Sequence, residues 1–129
     1  MEDNFKIAVL IVGHGSKQAG ANSAMYNVAE SLKAGGGYII VECAFLEINE
    51  PSIPVGLDIC REAGAGRIVV IPYFLLPGRH VLKDIPLLIA DWSKANPSIQ
   101  IIIGDYLGFS PALVEIVKQN VKGAAFRFE

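Results

Sequence analysis

The sequence holds two histidines, His14 and His80, and each closely follows an apolar run. His14 sits in Gly13-His14-Gly15-Ser16 directly after residues 6–12 (KIAVLIV), and His80 ends Leu75-Leu76-Pro77-Gly78-Arg79-His80, downstream of residues 67–72 (RIVVIP). A neutral imidazole is a ligand for Fe(II), Co(II) or Ni(II), and its ordinary pKa of about 6.5 also makes it a usable base near neutral pH. Two imidazoles reaching one rim can share a divalent ion; the alternative is two unrelated surface histidines, each hydrogen-bonded locally. A third apolar run, residues 38–44 (YIIVECA), is followed by Phe45-Leu46-Glu47-Ile48-Asn49-Glu50. Glu47, nearer the run, is the better carboxylate to join the histidines, whereas Glu50 reads as a charge near the start of a helix opening at Ser52. Two imidazoles and one carboxylate leave coordination positions open for exchange.

The residues around these groups extend the picture. Gly13-His14-Gly15 resembles the Arg-His-Gly signature of histidine phosphatases, but Gly13 stands where the arginine that clamps the phosphoryl oxygens would be. That reading ranks well behind a metal-handling one. The glycines allow a sharp turn and expose amides at the start of a following helix, where an anion is favoured. Leu75 and Leu76, ahead of a Pro-Gly turn, offer an apolar platform beside His80, unless they cap the core instead. Lys17, Arg79 and Lys83 surround that platform with positive charge.

Strands and helices must bring these loops together. Short β-branched runs at residues 6–12, 38–44, 67–72 and 99–104 alternate with helical periodicities at about 18–34, 52–63, 86–95 and 111–121. This is the pattern of an α/β fold: one four-stranded, mostly parallel sheet with helices on both faces. In such a sheet every strand-to-helix loop falls at the carboxyl edge, where ligands bind. The 129 residues suit a single domain spanning 1–129, with its core at about 6–121 and the tail 124–129 either frayed or in edge contact. With 11 basic against 13 acidic residues there is no electrostatic grip for nucleic acid. No apolar run is long enough to cross a membrane, and the acidic start, residues 1–6, does not resemble an export signal. Cys43 and Cys60 lack a CxxC spacing and read as reduced packing residues, which places the protein in the cytoplasm.

The motifs taken in order are Gly13-His14-Gly15-Ser16, then Ala44-Phe45-Leu46-Glu47 with Glu50-Pro51-Ser52-Ile53-Pro54, then Pro72-Tyr73-Phe74-Leu75-Leu76-Pro77-Gly78-Arg79-His80 with Asp84-Ile85-Pro86. Together they resemble the sirohydrochlorin chelatases, and in particular the short, single-domain class II form. The resemblance implies a chelatase-like domain that inserts a divalent metal into sirohydrochlorin, Co(II) foremost and Fe(II) or Ni(II) as alternatives, on the way to cobalamin or a related tetrapyrrole. It implies His14, His80 and Glu47 as the metal-handling and catalytic groups. Gly15, Ser16, Lys17, Leu76, Gly78 and Arg79 would receive the macrocycle, the polar ones taking its acetate and propionate groups. It further implies a homodimer with no tightly bound organic cofactor. A non-catalytic carrier of metal or tetrapyrrole is the competing use of the same rim.

Overall fold

The computed structural model describes residues 6–127, with side chains to 124, and the acidic start and the last two residues lie outside the described part. The elements run β1 (Ile7–Gly13), α1 (Ser23–Ala34), β2 (Ile40–Phe45), α2 (Ile53–Glu62), β3 (Arg67–Pro72), a π-helical turn (His80–Asp84) leading directly into α3 (Ile85–Ala95), β4 (Gln100–Ile103) and α4 (Pro111–Arg127). The strands form one sheet in the order β2-β1-β3-β4, and every pairing is parallel rather than mostly so.

β1 explains why residues 6–12 are almost wholly apolar: both of its faces are covered. Ala8, Leu10 and Val12 face one way, into a core with Leu57 and Cys60 of α2 and Ile85, Ile89 and Trp92 of α3. Val9 and Ile11 face the other way, against Met25 and Ala29 of α1. Each fully buried Leu or Ile here contributes about 1.5–3 kcal/mol through its removal from water. Helix α2 starts at Ser52, whose Oγ accepts the Val55 N–H at 3.4 Å, with Pro54 in the first turn. Trp92 Nε1 donates to Asp58 Oδ1 at 2.8 Å, tying α3 to α2.

Two elements differ from the sequence-based expectation. Helix α1 begins at Ser23 rather than near residue 18, because residues 18–22 form turns through Gly20, whose φ is +76°. Helix α4 continues through Arg127 instead of stopping near 121, so residues 124–127 of the tail are helical. Its residues 111–124 are exposed except for a half-buried Leu113. On the α1 side of the sheet α1 packs over β1 and β2, while Ile102 of β4 stays exposed.

Because β1 leads into α1 on one face and β3 into α3 on the other, the chain leaves neighbouring strands in opposite directions. A crevice results at the carboxyl edge between β1 and β3, the usual ligand position of open α/β sheets.

Candidate active site at the β1–β3 crevice

His14 and His80 occupy that crevice. Their ring centroids lie 4.9 Å apart at an interplanar angle of 47°. The strand ladder delivers His14 and Glu47 together, since the β1–β2 pairing continues past both strands: Leu46 N–H donates to Gly13 O at 3.0 Å and Glu47 N–H to His14 O at 3.1 Å. Glu47 Oε1 then sits 2.7 Å from His14 Nε2. His14 Nδ1 lies 3.2 Å from the carbonyl oxygen of Gly15. On the opposite wall, His80 Nδ1 lies 2.8 Å from Asp84 Oδ2.

The loops are pressed against one another. Gly15 has φ +102°, and a Cβ there would overlap the Glu47 carbonyl oxygen, so only glycine fits. Gly13 allows Met25 of α1 to close on the strand end, since a Cβ would come within 2.8 Å of its sulfur. Asn49 fastens the two loops: its Oδ1 accepts the Ser16 N–H at 2.6 Å and an Asn22 side-chain N–H at 3.0 Å. Between them Ile48 is held at φ 74°, with Asn49 N–H donating to Glu47 O at 2.8 Å, a γ-turn that a β-branched residue adopts only under strain. Such strain concentrates at ligand-handling sites.

The remaining sequence candidates divide. Leu75 and Leu76 are exposed, Leu76 to 76%, so they do not cap the core. Gly78 O accepts the N–H groups of both Val81 and Leu82 at 3.1 Å, which starts the π-helical turn that carries His80. Lys17 and Arg79 are exposed and without ion pairs among the described residues. Ser16 is less available than the sequence suggested: its amide is committed to Asn49, and its Oγ accepts the Gln18 N–H at 3.1 Å. Asn49 and Asp84 were given no role from sequence. The i,i+4 spacing of His80 and Asp84 was the available signal for the second.

A cleft of about 380 Å³, lined by Leu46, Glu47, His80, Asp84, Leu87 and Leu88, opens beside the histidines. It combines apolar walls with three titratable groups. Among the described residues no three His, Cys, Asp or Glu side chains are arranged as a ready-made ion site. Glu47 bonds His14 and Asp84 bonds His80, so an arriving ion must exchange with at least the first of these contacts. Gly13 stands at the strand end in place of a phosphoryl-clamping arginine, which leaves the phosphatase comparison without support.

Fold and site thus define an open α/β protein that presents two imidazoles and two carboxylates at its switch point. The CbiX family profile matches residues 8–124, and the chain belongs to that family. It is 39% identical over 114 residues to the chloroplastic sirohydrochlorin ferrochelatase of Arabidopsis thaliana, covering 88% of this chain and 51% of that one. It is 36% identical over 118 residues to the sirohydrochlorin cobaltochelatase of Sulfolobus acidocaldarius, covering 92% of each. Among solved structures, it is similar to the sirohydrochlorin chelatase SirB from Bacillus subtilis subspecies spizizenii in complex with cobalt, with TM-score 0.85, 36% identity and coverage of 92% of this chain and 50% of that chain. The chain spans about half the length of several of the curated relatives it matches.

Proposed function

We propose that this protein inserts a divalent metal, Co(II) foremost, into sirohydrochlorin, with residues 1–129 working as one chelatase-like domain. The observation that carries the reading is the meeting of His14, His80 and Glu47 at one crevice, with the His14 and His80 rings 4.9 Å apart and Glu47 on His14. The names of the Arabidopsis and Sulfolobus relatives point to the same substrate.

Insertion replaces two pyrrole N–H protons by the ion and moves the ion from water and protein donors to four nitrogens. His14, His80 and Glu47 hold the ion in transit or accept those protons. A three-donor set leaves sites from which the macrocycle nitrogens can take over. Leu76, with the turn at Gly78, provides an apolar seat, and Lys17 and Arg79 face the ring's carboxylates. Gly15 keeps the two loops close. The ion is substrate, and the scheme calls for no organic cofactor. Buried, unpaired Cys43 and Cys60 are in keeping with a reducing cytoplasm.

A homodimer is the working form in this reading. Phe109, Val114, Val117 and Val121 form an apolar groove of about 510 Å³ along α4, and Ile102 and Ile103 lie exposed on β4. A second copy supplies matching apolar surface for both, and closes over a macrocycle that one open cleft leaves exposed.

The test is turnover with sub-stoichiometric protein, following sirohydrochlorin absorbance on addition of Co(II) without oxygen. The chelatase reading expects many turnovers, with His14→Ala and His80→Ala each falling toward the spontaneous rate. A carrier would bind ion or macrocycle without exceeding that rate. Undiminished turnover in both variants would overturn the site assignment.

A further inference from the structure

Asp84 has no part in the scheme above, yet its surroundings are specific. An aspartate at the start of a helix usually accepts hydrogen bonds from the first free amides. Asp84 does not, because the π-helical turn runs into α3 without a break: its backbone is helical (φ −67°, ψ −45°) and it makes no capping bond. The Ile85 N–H is already taken by His80 O. The carboxylate instead turns back to His80, placing Oδ2 2.8 Å from Nδ1.

The consequence is chemical. An ionised carboxylate can only accept, so the single proton of a neutral His80 belongs on Nδ1, and Nε2 is left with a bare lone pair. Nε2 has no hydrogen-bond partner among the described residues, and the ring lines the cleft it shares with Glu47. His14 is held differently, with Glu47 on its Nε2 at 2.7 Å. A free imidazole prefers its proton on the other nitrogen, Nε2, which would block that site as a donor.

We propose that Asp84 is a positioning residue that holds His80 as the Nδ1–H tautomer, so that Nε2 is open to the arriving metal before any protein contact has to break. The inference rests on the reading of His80 as a metal-handling group. Asp84 itself need not touch ion or macrocycle. Partners of this kind, behind a metal-binding histidine, change metal affinity or activity by about 10–100-fold when removed.

Two readouts test it. Two-bond ¹H–¹⁵N correlation spectra of the metal-free protein at about pH 8, where imidazoles are neutral, report which ring nitrogen carries the proton. The unaltered protein and Asp84→Asn are expected to show Nδ1–H at His80, since an amide oxygen still accepts; Asp84→Ala is expected to shift toward Nε2–H. In Co(II) insertion, Asp84→Ala should raise KM for Co(II) about 10-fold or more while KM for sirohydrochlorin holds, and Asp84→Asn should recover most of that loss. In Co(II) affinity of the metal-free protein, measured without turnover, Asp84→Ala should add nothing in a His80→Ala background. An Nε2–H tautomer in the unaltered protein, an unchanged KM for Co(II) in Asp84→Ala, or an equal loss in both backgrounds would overturn the proposal. The spectra stand apart from turnover: an unaltered protein that inserts no metal would end the chelatase reading, while the tautomer would still decide what Asp84 does.

Discussion

Gly15→Ala separates geometry at the site from stability of the fold. Gly15 (φ +102°) and Gly20 (φ +76°) both occupy the left-handed region, but a Cβ at Gly20 meets nothing within 4 Å, while one at Gly15 overlaps the Glu47 carbonyl oxygen. Alanine at either position costs about 1–2 kcal/mol for the left-handed backbone. In a chain of this size that lowers Tm by roughly 5 °C. At Gly15 the loop carrying Glu47 must also retreat on the order of 1 Å to regain van der Waals contact. That movement strains the Glu47 N–H to His14 O bond, worth about 1 kcal/mol, and pulls the Glu47 carboxylate off His14. A misplacement of that size costs about 100-fold in rate where reacting groups are held in place. Gly20→Ala should therefore lose stability and keep its activity, whereas Gly15→Ala should lose somewhat more stability and about two orders of magnitude in kcat/KM for Co(II) insertion. Thermal melts and anaerobic turnover on the same preparations measure both. Gly15→Ala turnover within about 3-fold of the unaltered protein, or an equal loss in Gly20→Ala, would refute the reasoning, since a 1 Å shift should not be that cheap.

Other outcomes follow from the same structure. Burial pushes the Cys43 thiol up to about 11 and the Cys60 thiol up to about 12, with the Glu42 charge adding in both. Both should resist a thiol-specific disulfide reagent at pH 8 until the chain unfolds; labelling at the rate of a free thiol would contradict their burial. Unfolded thiols ionise near pH 8.5, so these contribute full stability below that pH, and each loses about 1.4 kcal/mol per pH unit as pH rises toward the folded values. Urea midpoints across this range should fall less steeply for Cys60→Ala. Trp92→Phe removes the 2.8 Å bond to Asp58 and should cost about 1–2 kcal/mol in urea unfolding with activity retained; no loss would show that the bond does not join α3 to α2. Val117→Asp, on the exposed apolar stripe of α4, should convert a dimer to a monomer in sedimentation velocity with unchanged circular dichroism. A monomeric unaltered protein at micromolar concentration would contradict the homodimer.

How far these features could be read from sequence depended on whether their cause was local. β1 was legible because burial of both faces demands an unbroken apolar run, and the convergence of His14 and His80 was legible because parallel strands put successive loops at one edge. The start of α1 was not, since Gln18 to Ala21 are compatible with helix and only the left-handed Gly20 reveals the turn. The commitment of the Ser16 amide to Asn49 joins positions 33 residues apart, and no periodicity encodes such a contact. For α4, the periodicity predicts a helix at about 111–121 but does not say what its apolar residues meet, and Val114, Val117 and Val121 are all exposed. Asp84 was given no role from sequence, because its contact with His80 depends on the π-helical turn that leaves its carboxylate uncommitted.

The most direct measurement is a crystal structure of the protein with Co(II), the ion located by its anomalous scattering. The account expects one ion about 2.1 Å from a ring nitrogen of His14 and from Nε2 of His80, with the Glu47 carboxylate turned from His14 onto the metal. Cobalt bound away from both rings, with the His14 to Glu47 contact intact, would contradict it.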